Sequence, residues 1–218
     1  LKYSKELILR INVWPENEKG VDELLNYLEN NKYKEKKNLV LGFHPVLNYF
    51  ETIKNQLCGL VYSEAQWSEH ALRFHKKARE LGFKNIDLPL CFPRHVYCGA
   101  TSFKVFHILP DGNIATCWAA SSEMDDFTVD SIHGNIKKKY LENREKLKNY
   151  NPYKKEKCRN CNISVFCGGG CLAYALTQNK TMDQPICSYV ATNSDQHIIN
   201  FVEERIRKQK ISNKKLIR

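Results

Sequence analysis

The sequence predicts an α/β protein in two parts, on three observations. β-rich runs alternate with amphipathic helical periods through residues 1–90. At Cys91 the character changes to short β runs, a tight turn and clustered cysteines, which reads as a smaller α+β segment with a β-hairpin and helices. No internal repeat or low-complexity linker interrupts either part. The boundaries fall at 1–90, 91–190 and 191–218, the last being a helix with a basic tail.

The elements follow in order. "ELILRINVW", Glu6 to Trp14, is rich in β-formers and reads as a buried strand closed by "PEN". Val21, Leu24, Leu25 and Leu28 then recur at i, i+3, i+4 and i+7, giving a helix with one apolar stripe that can lie on a sheet. "NLVLGFHPV", Asn38 to Val46, is the next strand. Ser63 and Gln66 have capping-box spacing, and Trp67, Ala71, Phe74, Ala78 and Leu81 recur at steps of four and three until Gly82 stops the helix. "KNIDLPL", Lys84 to Leu90, returns as a short strand. This alternation implies a parallel layer with right-handed crossovers. Three strands leave two open edges, so further strands are expected upstream, and a chain that begins with Leu1 rather than Met reads as a piece of something longer.

From Cys91 onward, "KVFHILPDGNIATCW", Lys104 to Trp118, is two β-rich runs around Pro-Asp-Gly-Asn, a hairpin in which Gly112 is free to take positive φ. A basic helical stretch follows, then the cysteine cluster, a short helix starting at its glycines, and an amphipathic helix around Ile198, Ile199, Phe201, Val202 and Ile206.

Composition excludes several function classes. Among 218 residues, 34 basic and 24 acidic side chains leave a net charge of +10, and 42% of residues are hydrophobic. No apolar run approaches the roughly 20 residues of a membrane span, and the N-terminus has no secretion signal. The nine cysteines are therefore read as thiols kept reduced in the cytoplasm, where metal binding is the better default than disulfides. Cys58, which has no partner at ligand spacing, reads as a buried apolar thiol. The basic excess lies largely in Lys137 to Lys157 and Arg205 to Arg218. Without a recognition motif or an aromatic platform, these stretches read as solvated helix faces rather than a nucleic-acid surface.

The chemistry concentrates in "CRNCNISVFCGGGC", Cys158 to Cys171. A C-x2-C step lets one turn present two sulfurs to one centre, as Cys158 and Cys161 do. Cys167 adds a third, and Gly168, Gly169 and Gly170 let the backbone pass a bulky group without Cβ clashes. Structural zinc sites usually pair two such knuckles or add histidines, whereas here the gaps are two, five and three and every clustered donor is sulfur. The spacing favours iron–sulfur over zinc. The histidines form no such set: His70 and His75, five apart on one helix, point to different faces.

Read whole, the order is C-x13-G-x4-C from Cys98 through Gly112 to Cys117, then C-x2-C-x5-C-x3-C, then Cys187. This resembles the seven-cysteine pattern of the SPASM domain, the C-terminal extension of radical S-adenosylmethionine (SAM) enzymes that mature peptides and sulfatases. The resemblance covers roughly residues 91–190. The segment before Cys91 resembles the closing part of a partial radical SAM (β/α) barrel. It implies two auxiliary [4Fe–4S] clusters with interleaved ligands. Cys98, Cys117 and Cys171 would bind the first, with Cys91 standing where some members supply a fourth ligand, and Cys158, Cys161, Cys167 and Cys187 would bind the second. The implied partners are a peptide or protein substrate, an electron donor or acceptor protein, and a missing N-terminal radical SAM segment.

Departures from the family are equally specific. The C-x3-C-x2-C triplet that holds the SAM-cleaving cluster is absent from these residues, so SAM and a third [4Fe–4S] cluster belong only to a longer parent chain. In sulfatase-maturing members an aspartate follows the second cysteine of the first cluster, but here Trp118 follows Cys117. Asp125 and Asp126 lie nearby and read as surface acids of a loop. Peptide modification is therefore favoured over sulfatase maturation, and no catalytic residue is assigned. Two other classes stand beside this one: a non-catalytic cluster protein serving as a peptide-binding or electron-transfer partner, and a structural zinc module with basic faces for nucleic acid.

Overall fold

The computed structural model describes residues 4–48, 60–89, 96–120 and 124–216, with side-chain surroundings to residue 209. Cys58 and Cys91 fall outside these residues. The chain is mixed α/β and divides into two compact units. One comprises Leu1–Leu47, Cys58–Cys91 and Tyr189–Arg218; the other comprises Asn48–Leu57 and Phe92–Ser188.

The first unit is built on a parallel sheet of order β1 (Leu7–Val13), β2 (Leu39–Pro45) and β3 (Ile86–Asp87). Leu7 aligns with Leu39 and Val13 with Pro45, so β1 and β2 are paired over their full length. Helices α1 (Glu18–Asn30) and α2 (Glu64–Glu80) connect the strands. Their stripes bury Val21, Leu25, Leu28, Trp67, Ala71, Phe74 and Ala78 against Val13, Leu41, Phe43 and Ile86. Period-2 alternation puts Ile11 and Val13 on this buried face, whereas Ile8, Arg10 and Asn12 are exposed. The capping box forms as the sequence implies: the Ser63 hydroxyl accepts from the Gln66 N–H at 3.3 Å, and the Ser63 N–H donates to Gln66 Oε1 at 3.0 Å. Arg73 bridges to Glu18 at 2.6 Å and Asp22 at 3.1 Å, tying α2 to α1. Strand β3 is shorter than expected, since its pairing with β2 spans only Ile86 and Asp87, with Pro89 just beyond.

The last helix corrects its sequence reading. Ile199, Val202 and Ile206 are about half exposed, while the face turned into the unit carries His197, Asn200 and Glu204. The helix spans Ser194–Leu216 and is labelled α5, since α3 (Lys138–Lys148) and α4 (Leu172–Asn179) precede it in the chain. Its buried polar groups persist because α2 and neighbouring side chains supply partners. His197 Nε2 lies 2.9 Å from Ser68 Oγ, Asn200 Nδ2 lies 3.3 Å from His75 Nδ1, and Arg207 bonds Glu204 at 2.7 Å and the Lys84 carbonyl at 2.6 Å. Burial holds both imidazoles neutral, His197 pushed down to about 4 and His75 to about 3, the latter helped by His197 and Arg79.

The second unit contains an antiparallel sheet of order β4 (His107–Ile108), β5 (Asn113–Ala115) and β6 (Thr128–Ser131). The β4–β5 hairpin closes through Leu109 N–H to Asn113 O at 2.8 Å, with Gly112 at φ +79°. Strand β6 has no clear sequence signal, being four residues long with Asp130 inside it. Helix α3 (Lys138–Lys148) fixes it: Asn143 Nδ2 donates to the Thr128 carbonyl at 2.8 Å, and Arg144 Nε to that of Val129 at 2.9 Å. The basic face of α3 is spent on the acids around β6. Lys139 meets Asp125 at 2.6 Å, Lys146 meets Asp126 at 3.8 Å, and Arg144 pairs with Asp130. Asp125 and Asp126 are thus counterions of a helix. The core gathers Phe127, Val129, Leu147, Leu172 and Met182, with α4 (Leu172–Asn179) supplying Leu172.

Candidate metal centre

Seven cysteines of the second unit are described, and all are thiols outside disulfides. Most of them sit in or beside short helices and turns. Cys98 is the extended residue before a one-turn helix at Gly99–Ser102, and its carbonyl accepts from the Thr101 N–H and hydroxyl. Cys117 follows β5, and the Ala119 and Ala120 N–H groups turn back toward it. Cys171 is the N-cap residue of α4. Cys98, Cys117 and Cys171 all pack on the core of Phe127, Leu147 and Leu172.

Three of the other four come from consecutive turns. Cys158 lies in a one-turn helix at Glu156–Arg159, its carbonyl accepting from the Cys161 N–H at 3.3 Å. The Cys161 carbonyl accepts from the Ser164 N–H at 3.1 Å, which starts the turn ending at Cys167. Cys187 arrives from beyond α4, and its approach depends on Gly170. A Cβ on Gly170 would stand 1.9 Å from the Ile186 carbonyl oxygen, so only hydrogen leaves room for the segment carrying Cys187. The Ser188 hydroxyl then lies 3.4 Å from the Cys167 sulfur.

Electrostatics reports how the thiols associate. Burial pushes Cys117 up to about 11, and the charges of Cys98 and Cys171 add to the rise. Burial also raises Cys158, with Cys167, Cys187 and Cys161 as the contributing thiols. Cys98 and Cys171 are thus the thiols that act on Cys117, and Cys167, Cys187 and Cys161 those that act on Cys158.

Donor chemistry and spacing decide what such groups can hold. Among the described residues, no three His, Cys, Asp or Glu side chains converge as ligands of a single ion. A tetrahedral zinc with bonds of about 2.3 Å needs sulfurs only about 3.8 Å apart. A cubane carries its own irons and sulfides between its four thiolate ligands. The donor set is all sulfur, with the Ala119 and Ala120 N–H groups turned toward the Cys117 thiol, a chemistry that would suit a thiolate-held cluster.

One buried group between the thiols was not legible as a site residue. Tyr150 packs its ring on the same core as Cys98, Cys117 and Cys171, and its hydroxyl has no hydrogen-bond partner among the described residues. Such a buried hydroxyl costs about 1–3 kcal/mol when left unpaired. No spacing rule marks a tyrosine eight residues before a C-x2-C step, and neither the Ala119 and Ala120 amides nor Ser188 carries a sequence signal. Cys91 lies outside the described residues.

Comparison of the chain with protein-family models, with curated proteins and with solved structures gives no match. The functional reading therefore rests on the residues and their arrangement.

Proposed function

We propose that this chain is the auxiliary-cluster portion of a radical SAM/SPASM maturase that modifies a ribosomally made peptide or protein. In this reading Cys98, Cys117 and Cys171 hold one [4Fe–4S] cluster, with Cys91 as its fourth ligand, while Cys158, Cys161, Cys167 and Cys187 hold the other. The observation that supports it is that Cys98, Cys117 and Cys171, far apart in sequence, pack on one core, while Gly170 lets the segment carrying Cys187 come against the turn after Cys167. Bound clusters of this kind supply one-electron transfer. The chain's own contribution is to fix the sulfurs on rigid turns, to shield the first group with Phe127, Leu147 and Leu172, and to aim amides at Cys117.

The reading entails a cytoplasmic setting, an electron donor or acceptor protein, and an upstream segment that binds SAM. Among the described residues no helix is long and apolar enough to cross a membrane. The first unit's parallel sheet is the kind of layer to which further strands of a barrel would add. The test follows from the cysteine inventory. With dithionite and SAM, these 218 residues should release no 5'-deoxyadenosine even when loaded with iron and sulfide, because no C-x3-C-x2-C triplet is present. Joined to an upstream segment carrying that triplet, the chain should cleave SAM. Cleavage by the chain alone would overturn the assignment of its cysteines to auxiliary sites.

A further inference from the structure

Tyr150 stands beside the glycine turn that separates Cys167 from Cys171. Its N–H bonds the Leu147 carbonyl at 3.3 Å, which fixes the residue just past α3. Its ring packs on the same buried core that Cys98, Cys117 and Cys171 also pack against. Its hydroxyl lies over the glycine turn: a Cβ on Gly169 would be 3.1 Å from that oxygen and 2.7 Å from Pro152 Cβ. Burial first, then the charges of Cys158, Cys98, Asp183 and Cys167, raise its proton affinity. No described residue accepts its proton. Buried hydroxyls in folded proteins are almost always paired, so an acceptor is expected at this point. Thiols are among the charged groups near it, together with Asp183, whose carboxylate is taken by Lys155.

We infer that Tyr150 is a positioning residue for the bound clusters, its hydroxyl donating a hydrogen bond to a sulfur of the group held by Cys158, Cys161, Cys167 and Cys187. The inference rests on the cluster reading above. A phenol is a donor at neutral pH, and burial followed by the neighbouring thiolates raises its proton affinity further. A donor aimed at cluster sulfur stabilises the more negative, reduced state and raises the reduction potential. Direct competition from solvent is absent because the oxygen is buried.

The test uses the full chain, reconstituted anaerobically with iron and sulfide, and follows each cluster through a potentiometric titration by electron paramagnetic resonance. Tyr150→Phe keeps the ring and removes the donor. Its iron and sulfide content should match the unaltered chain, while one cluster shifts to lower potential by about tenfold in its reduction equilibrium, about 59 mV for one electron. Placing 3-fluorotyrosine at position 150 strengthens the donor at nearly constant size and should move the same midpoint upward. An iron-replete Tyr150→Phe chain with both midpoints unchanged would overturn the inference and leave the cluster reading standing. If Tyr150→Phe fails to fold, the fluorotyrosine chain decides, and an unmoved midpoint there overturns it equally. An unaltered chain that takes up no iron removes the cluster reading and the role of Tyr150 with it.

Discussion

Gly170→Ala is expected to abolish iron binding by the four-thiol group. Gly170 sits at φ +78°, a conformation that costs an ordinary residue about 1–2 kcal/mol. The larger effect is steric. The new methyl carbon would fall 1.9 Å from the Ile186 carbonyl oxygen, and because that atom is backbone it cannot rotate away. The segment Ile186 to Ser188 must move, carrying Cys187 away from Cys158 and Cys167. Iron per chain after reconstitution should fall by about half, or further if the displaced turn also disturbs Cys171. Gly99→Ala is the matched control: it adds the same methyl group beside Cys98, in open space, and should leave iron content unchanged. Full iron loading in Gly170→Ala would show that Cys187 is not held through this contact.

Cys171→Ala and Cys187→Ala should each remove one cluster, and not the same one. Cys171 packs with Cys98 and Cys117 on the Leu172 core, whereas the proposed assignment places Cys187 with Cys158, Cys161 and Cys167. Each variant should keep about half of the iron. Their electron paramagnetic resonance spectra in the reduced state should differ, and together should account for the spectrum of the unaltered chain. Cys158→Ala should reproduce the spectrum of Cys187→Ala. If Cys158→Ala and Cys171→Ala instead lost the same signal, the sorting of Cys167 and Cys171 into separate groups would be wrong.

Much of the first unit was legible because its signals are local. The i, i+3, i+4, i+7 stripe at Val21 to Leu28 and the Ser63–Gln66 capping box each specify one element without reference to the rest of the chain, and α1 and α2 appear where those signals lie. Hydrophobic periodicity failed where burial is polar. Helix α5 turns His197, Asn200 and Glu204 inward because Ser68, His75 and Arg207 pair with them, and such partners lie more than a hundred residues away for Ser68 and His75. Strand β6 escaped notice because its edge is completed by the side chains of Asn143 and Arg144.

The cysteine site was legible in the same uneven way. The step from Cys158 to Cys161 can be read from spacing, since one turn brings those residues together. The meeting of Cys98 and Cys117 with Cys171 cannot, because more than forty residues separate Cys117 from the start of the cluster and only the fold closes that distance. The family pattern supplied that expectation, and Tyr150, which belongs to no pattern, emerged only from the packing.

The central claim is that the thiols of the second unit hold two polynuclear iron–sulfur groups, and the most direct measurement is the iron, sulfide and zinc content of the full chain after anaerobic reconstitution, paired with Mössbauer spectroscopy. The account predicts about eight iron and eight sulfide per chain, in two four-iron environments. About two zinc per chain with negligible sulfide, in protein kept strictly from oxygen, would contradict it.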